Sequence, residues 1–328
     1  MRIHEIVTEA ISATQYYHIF KKSIQDGLIQ AVLALHVAEH GFPRLERLYD
    51  HDDQYPLMGE LAGLLKRKFI PEILPKIIKT DINKALGSKA VTSVKFGKMP
   101  GNTEAYVTNN AITISLAFAD RAADSIVNRL LEIAYPYDDG VSGMFQMIRD
   151  ADSDEWIRSD ITDAVANDVN TLSSNLVHEL VHVIQHDRQK AKGRTKSDYE
   201  YRSYLDNTKD EFRNMSHDYM RGKDSKIDST LYSKLYMASP QEMSAFAHNI
   251  VLDIITLSGL DHVSSMQQLI EIVKKIDAKW IVKTITNYIQ DKFRNPEDKK
   301  EYEVFKRYVK LVYQELNRYI DTVKVNLK

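Results

Sequence analysis

The stretch V-N-T-L-S-S-N-L-V-H-E-L-V-H-V-I-Q-H-D-R-Q, residues 169 to 189, carries both a folding pattern and a chemical one. Val169, Leu172, Leu176, Leu180, Val183 and Ile184 recur at the period of a helix with one buried face. Thr171, Asn175, His178, Glu179, His182 and His186 fall on the opposite stripe, so a chain that buries the first set aligns the second. Residues from about Asp160 to Gln189 are therefore predicted to form one long helix or two abutting ones. Within them, His178-Glu179-Leu180-Val181-His182 is an H-E-x-x-H. Two histidines four positions apart project from successive turns of one face, about 40° apart, and can converge on one ion. Glu179, one position along, can reach a water on that ion without ligating it. With His 11 in 328 residues, chance supplies roughly 0.02 such matches in a chain of this composition. The bland alternative is two satisfied histidines and a surface glutamate.

Composition narrows what else the chain does. Hydrophobic residues make up 43% and charged residues 27%, with Lys+Arg 44 against Asp+Glu 46 and a net charge of −2. That is the profile of a soluble globular protein, and it lacks the basic footprint of a nucleic-acid binder or a basic membrane-surface protein. No nucleic-acid or membrane partner is expected. Cysteine is absent, which excludes disulfide frameworks, Cys-ligated zinc, iron–sulfur clusters and thiol nucleophiles, so a metal must be held by imidazole and carboxylate. The opening MRIHEIVTEA carries Arg2, Glu5 and Glu9 and lacks the apolar core of a signal peptide. The most apolar stretches, 28–38 and 246–260, are short and contain Gln30, His36, His248 and Asp253. A cytoplasmic product is expected.

Gly 12 and Pro 8 are few for this length and favour long helices. Apolar spacing from Ile3 to Leu35 is helical and stops at Gly41-Phe42-Pro43, so two or three helices are expected in residues 1–85, interrupted by Pro56, Pro71 and Pro75. Val94 and Phe96 alternate with Ser93 and Lys95; Pro100-Gly101 turns the chain; Tyr106 to Thr108 leads through Asn109-Asn110 into Ile112, Ile114, Leu116 and Phe118. This predicts a hairpin or three-strand meander, followed by a helix from about Asp120 to Ala134 and a loop over Tyr135 to Gly143. Residues 187–229 are polar, with Tyr199, Tyr201, Tyr204 and Tyr219 among few aliphatics, and read as a solvated, partly mobile insertion. Asn295 and Pro296 predict the cap and first residue of a last helix, whose buried stripe is Phe305, Tyr308, Val309, Val312, Leu316, Tyr319 and Ile320. The fold class expected is α+β and predominantly helical: a helical region at 1–85, a core at 86–260 holding the insertion, and a helical region at 261–328.

A hydrolytic metal site needs a third protein ligand and an open position. The continuation of the motif with glycine and histidine three and six residues on is absent, since Gln185 and Arg188 stand there. His186 shares the stripe but lies one turn too far for easy joint ligation. The better candidate is Glu242, in Tyr236-Met-Ala-Ser-Pro240-Gln-Glu242-Met-Ser-Ala245-Phe-Ala247-His248, where it begins a helix whose Ala245 and Ala247 allow close packing. Ser239-Pro240-Gln241-Glu242 also fits a capping box, in which Glu242 would only cap its own helix. His217, His248 and Asp253 are the fallback ligands.

The H-E-x-x-H followed by a helical P-x-E-x-x-A-x-A segment resembles the zincin metallopeptidases of the gluzincin type, whose third ligand is a glutamate on a downstream helix. More weakly, LVHELVHVIQH with Y-x-x-x-P-x-E-x-x-A-F-A resembles zinc peptidases encoded in bacteriophage genomes, a resemblance under which virion association is the alternative to a cytoplasmic product. The resemblance spans about residues 90 to 255, with a longer gap between motifs than thermolysin-like enzymes and without their N-E-x-x-S-D sequence. It implies a zincin-like core with a small, mainly antiparallel sheet, and an edge strand, here Ala111 to Phe118, that pairs with extended peptide, against the alternative that this strand is plain sheet interior. It implies Zn²⁺ on His178, His182 and Glu242, Glu179 as general base, and a peptide or protein substrate. Tyr236 is placed to donate to the oxyanion on the scissile carbonyl, against the alternative of plain packing beside Leu235 and Met237. Two other readings stand beside the peptidase: a non-catalytic structural or interaction protein retaining the fold, and a hydrolase of a non-peptide amide or ester. The insertion between the motifs is a candidate lid or substrate-selecting loop.

Overall fold

A computed structural model of the protein describes residues 13–37, 55–87, 89–99, 103–108, 110–134, 155–194, 203–205, 209–220, 229–289, 292–293 and 297–327. The helix expected from Ile3, the stop at 41–43, the Pro100-Gly101 turn and the loop at 135–143 lie outside these residues. The chain divides into two compact units, Tyr16–Leu176 and one that includes Val177–Lys328.

The first unit opens with helix α1 (Ala13–Val37), then α2 (Tyr55–Leu64) and α3 (Ile70–Ala85), joined through a π-helical turn at Leu65–Phe69. Pro71 and Pro75 do not interrupt this run as the sequence predicts. Pro71 sits in the first turn of α3, where a missing N–H costs little, and the wider turn just before it closes through Ile70 N–H to Leu65 O. Pro75 lies inside the helix and is itself buried.

Strands β1 (Ser93–Gly97), β2 (Ala105–Thr108) and β3 (Ala111–Ser115) form a sheet of order β1-β3-β2. β2 and β3 are the expected antiparallel hairpin, turned at Asn110, whose φ of 64° is one that asparagine tolerates. β1, however, joins β3 in parallel, Val94 opposite Ile112 and Phe96 opposite Ile114, so the sheet is mixed rather than mainly antiparallel or a meander. The most apolar strand takes the centre, where Ile112 and Ile114 have no exposure. Two expectations for Ala111 to Phe118 fall with this. β3 is paired along both sides, so it offers no open edge to a peptide. It also ends at Ser115, whose hydroxyl accepts from Ala117 N–H as α4 (Leu116–Ala134) begins, earlier than Asp120. Arg121 on α4 holds Glu104 at 2.6 Å and Asp168 at 2.7 Å, tying the hairpin and the later helix to α4.

α5 (Glu155–Ala164) and α6 (Ala166–Ala191) are the two abutting helices the pattern allowed, and α6 carries the H-E-x-x-H. Its residues Val169, Leu172, Leu176, Leu180 and Val183 are buried as their spacing predicts.

The second unit contains α7 (Lys209–Met220), α8 (Ser229–Met237), α9 (Pro240–Ser258), α10 (Met266–Lys275), α11 (Ala278–Ile289) and α12 (Lys299–Asn326). The described part of the polar segment after Asp187 is thus partly helical. α12 starts later than Pro296, because Asp298 caps it by accepting from Lys300 and Glu301 N–H. α9 packs against α11 and α12, burying Met243, Ile250, Ile254 and Ile255 with Tyr308, Val312 and Leu316. Gly259 ends α9 at φ 75°. Tyr308 is fully buried, lies stacked beside Phe293, and donates to the Met237 carbonyl at 2.6 Å. That bond holds the turn between α8 and α9. Tyr308→Phe leaves the carbonyl unpaired and is expected to cost about 1–2 kcal/mol, read as a lower thermal midpoint; an unchanged midpoint would contradict it. No helix among the described residues is long and apolar enough to cross a membrane.

Candidate metal centre

The turn between α8 and α9 decides what Glu242 can do. Ser239 is the N-cap of α9, and its hydroxyl accepts from Glu242 N–H at 3.2 Å. In a reciprocal box the Glu242 carboxylate would return to Ser239 N–H. Here that N–H donates to the Tyr236 carbonyl at 3.0 Å, and the carboxylate turns instead to the histidines. Ser239 therefore caps α9, and the Glu242 carboxylate joins the two histidines rather than its own helix end.

His178 Nε2 lies 3.1 Å from Glu242 Oε2 and 3.2 Å from His182 Nε2, and His182 Nε2 lies 3.3 Å from Glu242 Oε1. Tetrahedral ligands at 2.0–2.1 Å from one ion stand about 3.3 Å from one another, a spacing each of these contacts approaches, with the two imidazoles meeting different oxygens of the Glu242 carboxylate. His178, His182 and Glu242 form a group that could hold a metal ion, and it is the one such group among the described residues. Two imidazoles and a carboxylate suit a borderline cation such as zinc better than calcium or magnesium, which take oxygen donors. The side chains are 10%, 15% and 12% exposed in that order, so the face is screened but reachable.

Electrostatics follow from this crowding. Burial opposes the Glu242 charge, but the neighbouring His182 charge and hydrogen bonds from both imidazoles outweigh it and hold the carboxyl far below the usual range. Burial likewise opposes protonation of His182, and the Glu242 charge, its hydrogen bond and the Glu179 charge overcome that, raising the imidazole to about 9. Glu179 is thus near enough to act on His182, while standing outside the ligand group.

Tyr236 does more than pack. Burial first, then the charge of Glu242 and a hydrogen bond to it, push its phenol well above the ordinary value, so it stays a neutral donor beside the triangle. Phe246, one turn after Glu242, meets His178 edge-on at 5.0 Å and Tyr236 at 6.4 Å. A feature missed in the sequence is Gln185, which contacts His182 Nδ1 at 3.2 Å and the Gln241 carbonyl at 3.2 Å. Its signal was available, since it follows His182 by three positions on the same helix face.

The other candidates go elsewhere. His186 and His217 stand outside the group. His248 donates from Nδ1 to the Ser244 carbonyl at 2.7 Å and presents Nε2 to Glu315 at 3.5 Å. Asp253 is raised by burial, partly offset by a hydrogen bond from Tyr288. Comparisons with known proteins match no family model, no curated protein and no solved structure, which leaves the geometry of these side chains as the ground for any functional reading.

Proposed function

We propose that the protein is a zinc-dependent peptidase with a zincin-like core, of the gluzincin type. The observation that carries this is the triangle of His178, His182 and Glu242 at 3.1–3.3 Å, with Glu179 alongside and not in it. His178, His182 and Glu242 would hold Zn²⁺, and the ion when bound would supply Lewis acidity toward a carbonyl and lower the pKa of a water toward neutrality.

The protein side chains then have separate tasks. Glu179 accepts the proton of the attacking water and returns it to the departing amine, because a carboxylate beside the site and outside the ligand set can take up and release a proton. Glu242 and two neutral histidines give the ligand set a charge of −1, which would leave a net charge of +1 with a dication to act on substrate. Tyr236, held neutral, donates to the oxygen on which negative charge develops. Tyr236→Phe is expected to keep the metal and lower kcat about 10²–10³-fold, the usual cost of one oxyanion donor; steady-state kinetics with parallel metal analysis would measure it.

The experiment that tests the function is direct. Purified protein should contain one equivalent of zinc and cleave a quenched-fluorescent peptide library, with loss on chelation and recovery on adding zinc. Bound zinc without cleavage of any peptide would overturn the peptidase reading in favour of a non-catalytic protein or a hydrolase of another carbonyl substrate. Absent zinc binding would overturn the centre itself.

A further inference from the structure

We infer that Gln185 is the positioning residue of this centre: it sets the tautomer of His182 and ties the two ligand-bearing helices together. The inference rests on the metal-centre part of the reading above, and not on hydrolysis. The Gln241 main-chain carbonyl can only accept a hydrogen bond. The Gln185 group 3.2 Å from it must therefore be the amide NH₂, which turns the side-chain oxygen Oε1 toward His182 Nδ1. An amide oxygen can only accept, so Nδ1 must carry a proton. In the neutral ring the lone pair is then on Nε2, the atom that faces His178 Nε2 at 3.2 Å and Glu242 Oε1 at 3.3 Å. One side chain thus selects the nitrogen that points at the ion.

The same amide also spans from α6 to the first turn of α9. Gln241 directly precedes Glu242, so the bond from Gln185 fixes the start of α9 relative to His182. The two roles are chemically separable. Leucine at 185 removes both. Glutamate keeps an acceptor for Nδ1–H but has no donor for the Gln241 carbonyl.

The test uses full-length protein and Zn²⁺ or Co²⁺ alone. Affinity is measured by competition with a chromophoric chelator, the His182 tautomer by ¹⁵N shifts of the metal-loaded protein, and ligand geometry by the visible spectrum of the cobalt form. Gln185→Leu is expected to weaken zinc about 10–100-fold, the usual cost of losing a partner behind a metal-bound histidine, and to alter the cobalt spectrum. Gln185→Glu should restore most of the affinity and the Nδ1–H signature. A merely structural role would lower the thermal midpoint of both metal-free variants and leave the tautomer unchanged. Unchanged affinity and spectrum in Gln185→Leu would overturn the assignment while the centre stood. Failure of the wild-type protein to bind either ion would overturn both.

Discussion

Glu179→Gln is expected to retain one equivalent of zinc and to lower kcat by at least about 10²–10⁴-fold, the share usually supplied by a general base. Retention follows from geometry, because the group that could hold an ion consists of His178, His182 and Glu242 without Glu179. Loss of turnover follows from chemistry, because glutamine preserves the size of the side chain and an acceptor oxygen but cannot take up and return a proton. The carboxylate sits in the same electrostatic neighbourhood as its proposed partners, since its charge acts on both His182 and Tyr236. Metal analysis and peptide turnover on the same preparation check the pair of outcomes. A variant with full zinc and undiminished turnover would remove Glu179 from the mechanism, and one that loses zinc would show that it supports the ligands instead. If the wild-type protein itself cleaves nothing, the comparison is decided earlier, in favour of a non-catalytic protein.

The two halves of the site were legible to different degrees. His178 and His182 announce themselves because helical geometry alone forces residues four apart onto one face, and the apolar positions around them predict which face is buried. Glu242 could not be settled that way. A glutamate three residues after Ser239 satisfies the pattern of a cap and of a ligand equally, and what favours the ligand is its carboxylate's approach to two imidazoles, with Ser239 N–H engaged by Tyr236 O. Gln185 stood in plain sight as a departure from another family's pattern, but its meaning depends on the Gln241 carbonyl, far away in sequence. The sheet failed for a related reason. Alternation in Ala111 to Phe118 is a local signal for a strand, whereas pairing order is set by which strand buries most, and β3 buries even Thr113 and Ser115. Nothing local in β1 says whether it will join β3 in parallel. The helix starts moved because capping is a contest between nearby side chains, won by Asp298 at α12 and by Ser115 at α4.

Glu242→Ala paired with Ser239→Ala should separate ligand from cap by a wide margin. If Glu242 is a ligand, its loss is expected to weaken zinc by more than about 100-fold, exceeding the roughly 10–100-fold cost of losing a residue behind the ligands. In the wild-type protein, zinc at about 100 times its Kd stabilises the fold by about 2.7 kcal/mol, and Glu242→Ala should lose this metal-dependent rise in thermal midpoint. Ser239→Ala should behave in the opposite sense. It removes the acceptor for Glu242 N–H, costs about 1 kcal/mol with or without metal, and leaves zinc affinity within a few-fold, because the His178, His182 and Glu242 side chains make their contacts without the hydroxyl. The sign of the difference matters more than either size. A residue that merely caps a helix changes stability equally in both metal states, whereas a ligand changes the gap between them. Thermal melts of the two variants with zinc and with chelator measure that gap. An unaltered gap in Glu242→Ala would return Glu242 to the role of a cap and leave the two histidines without their third partner.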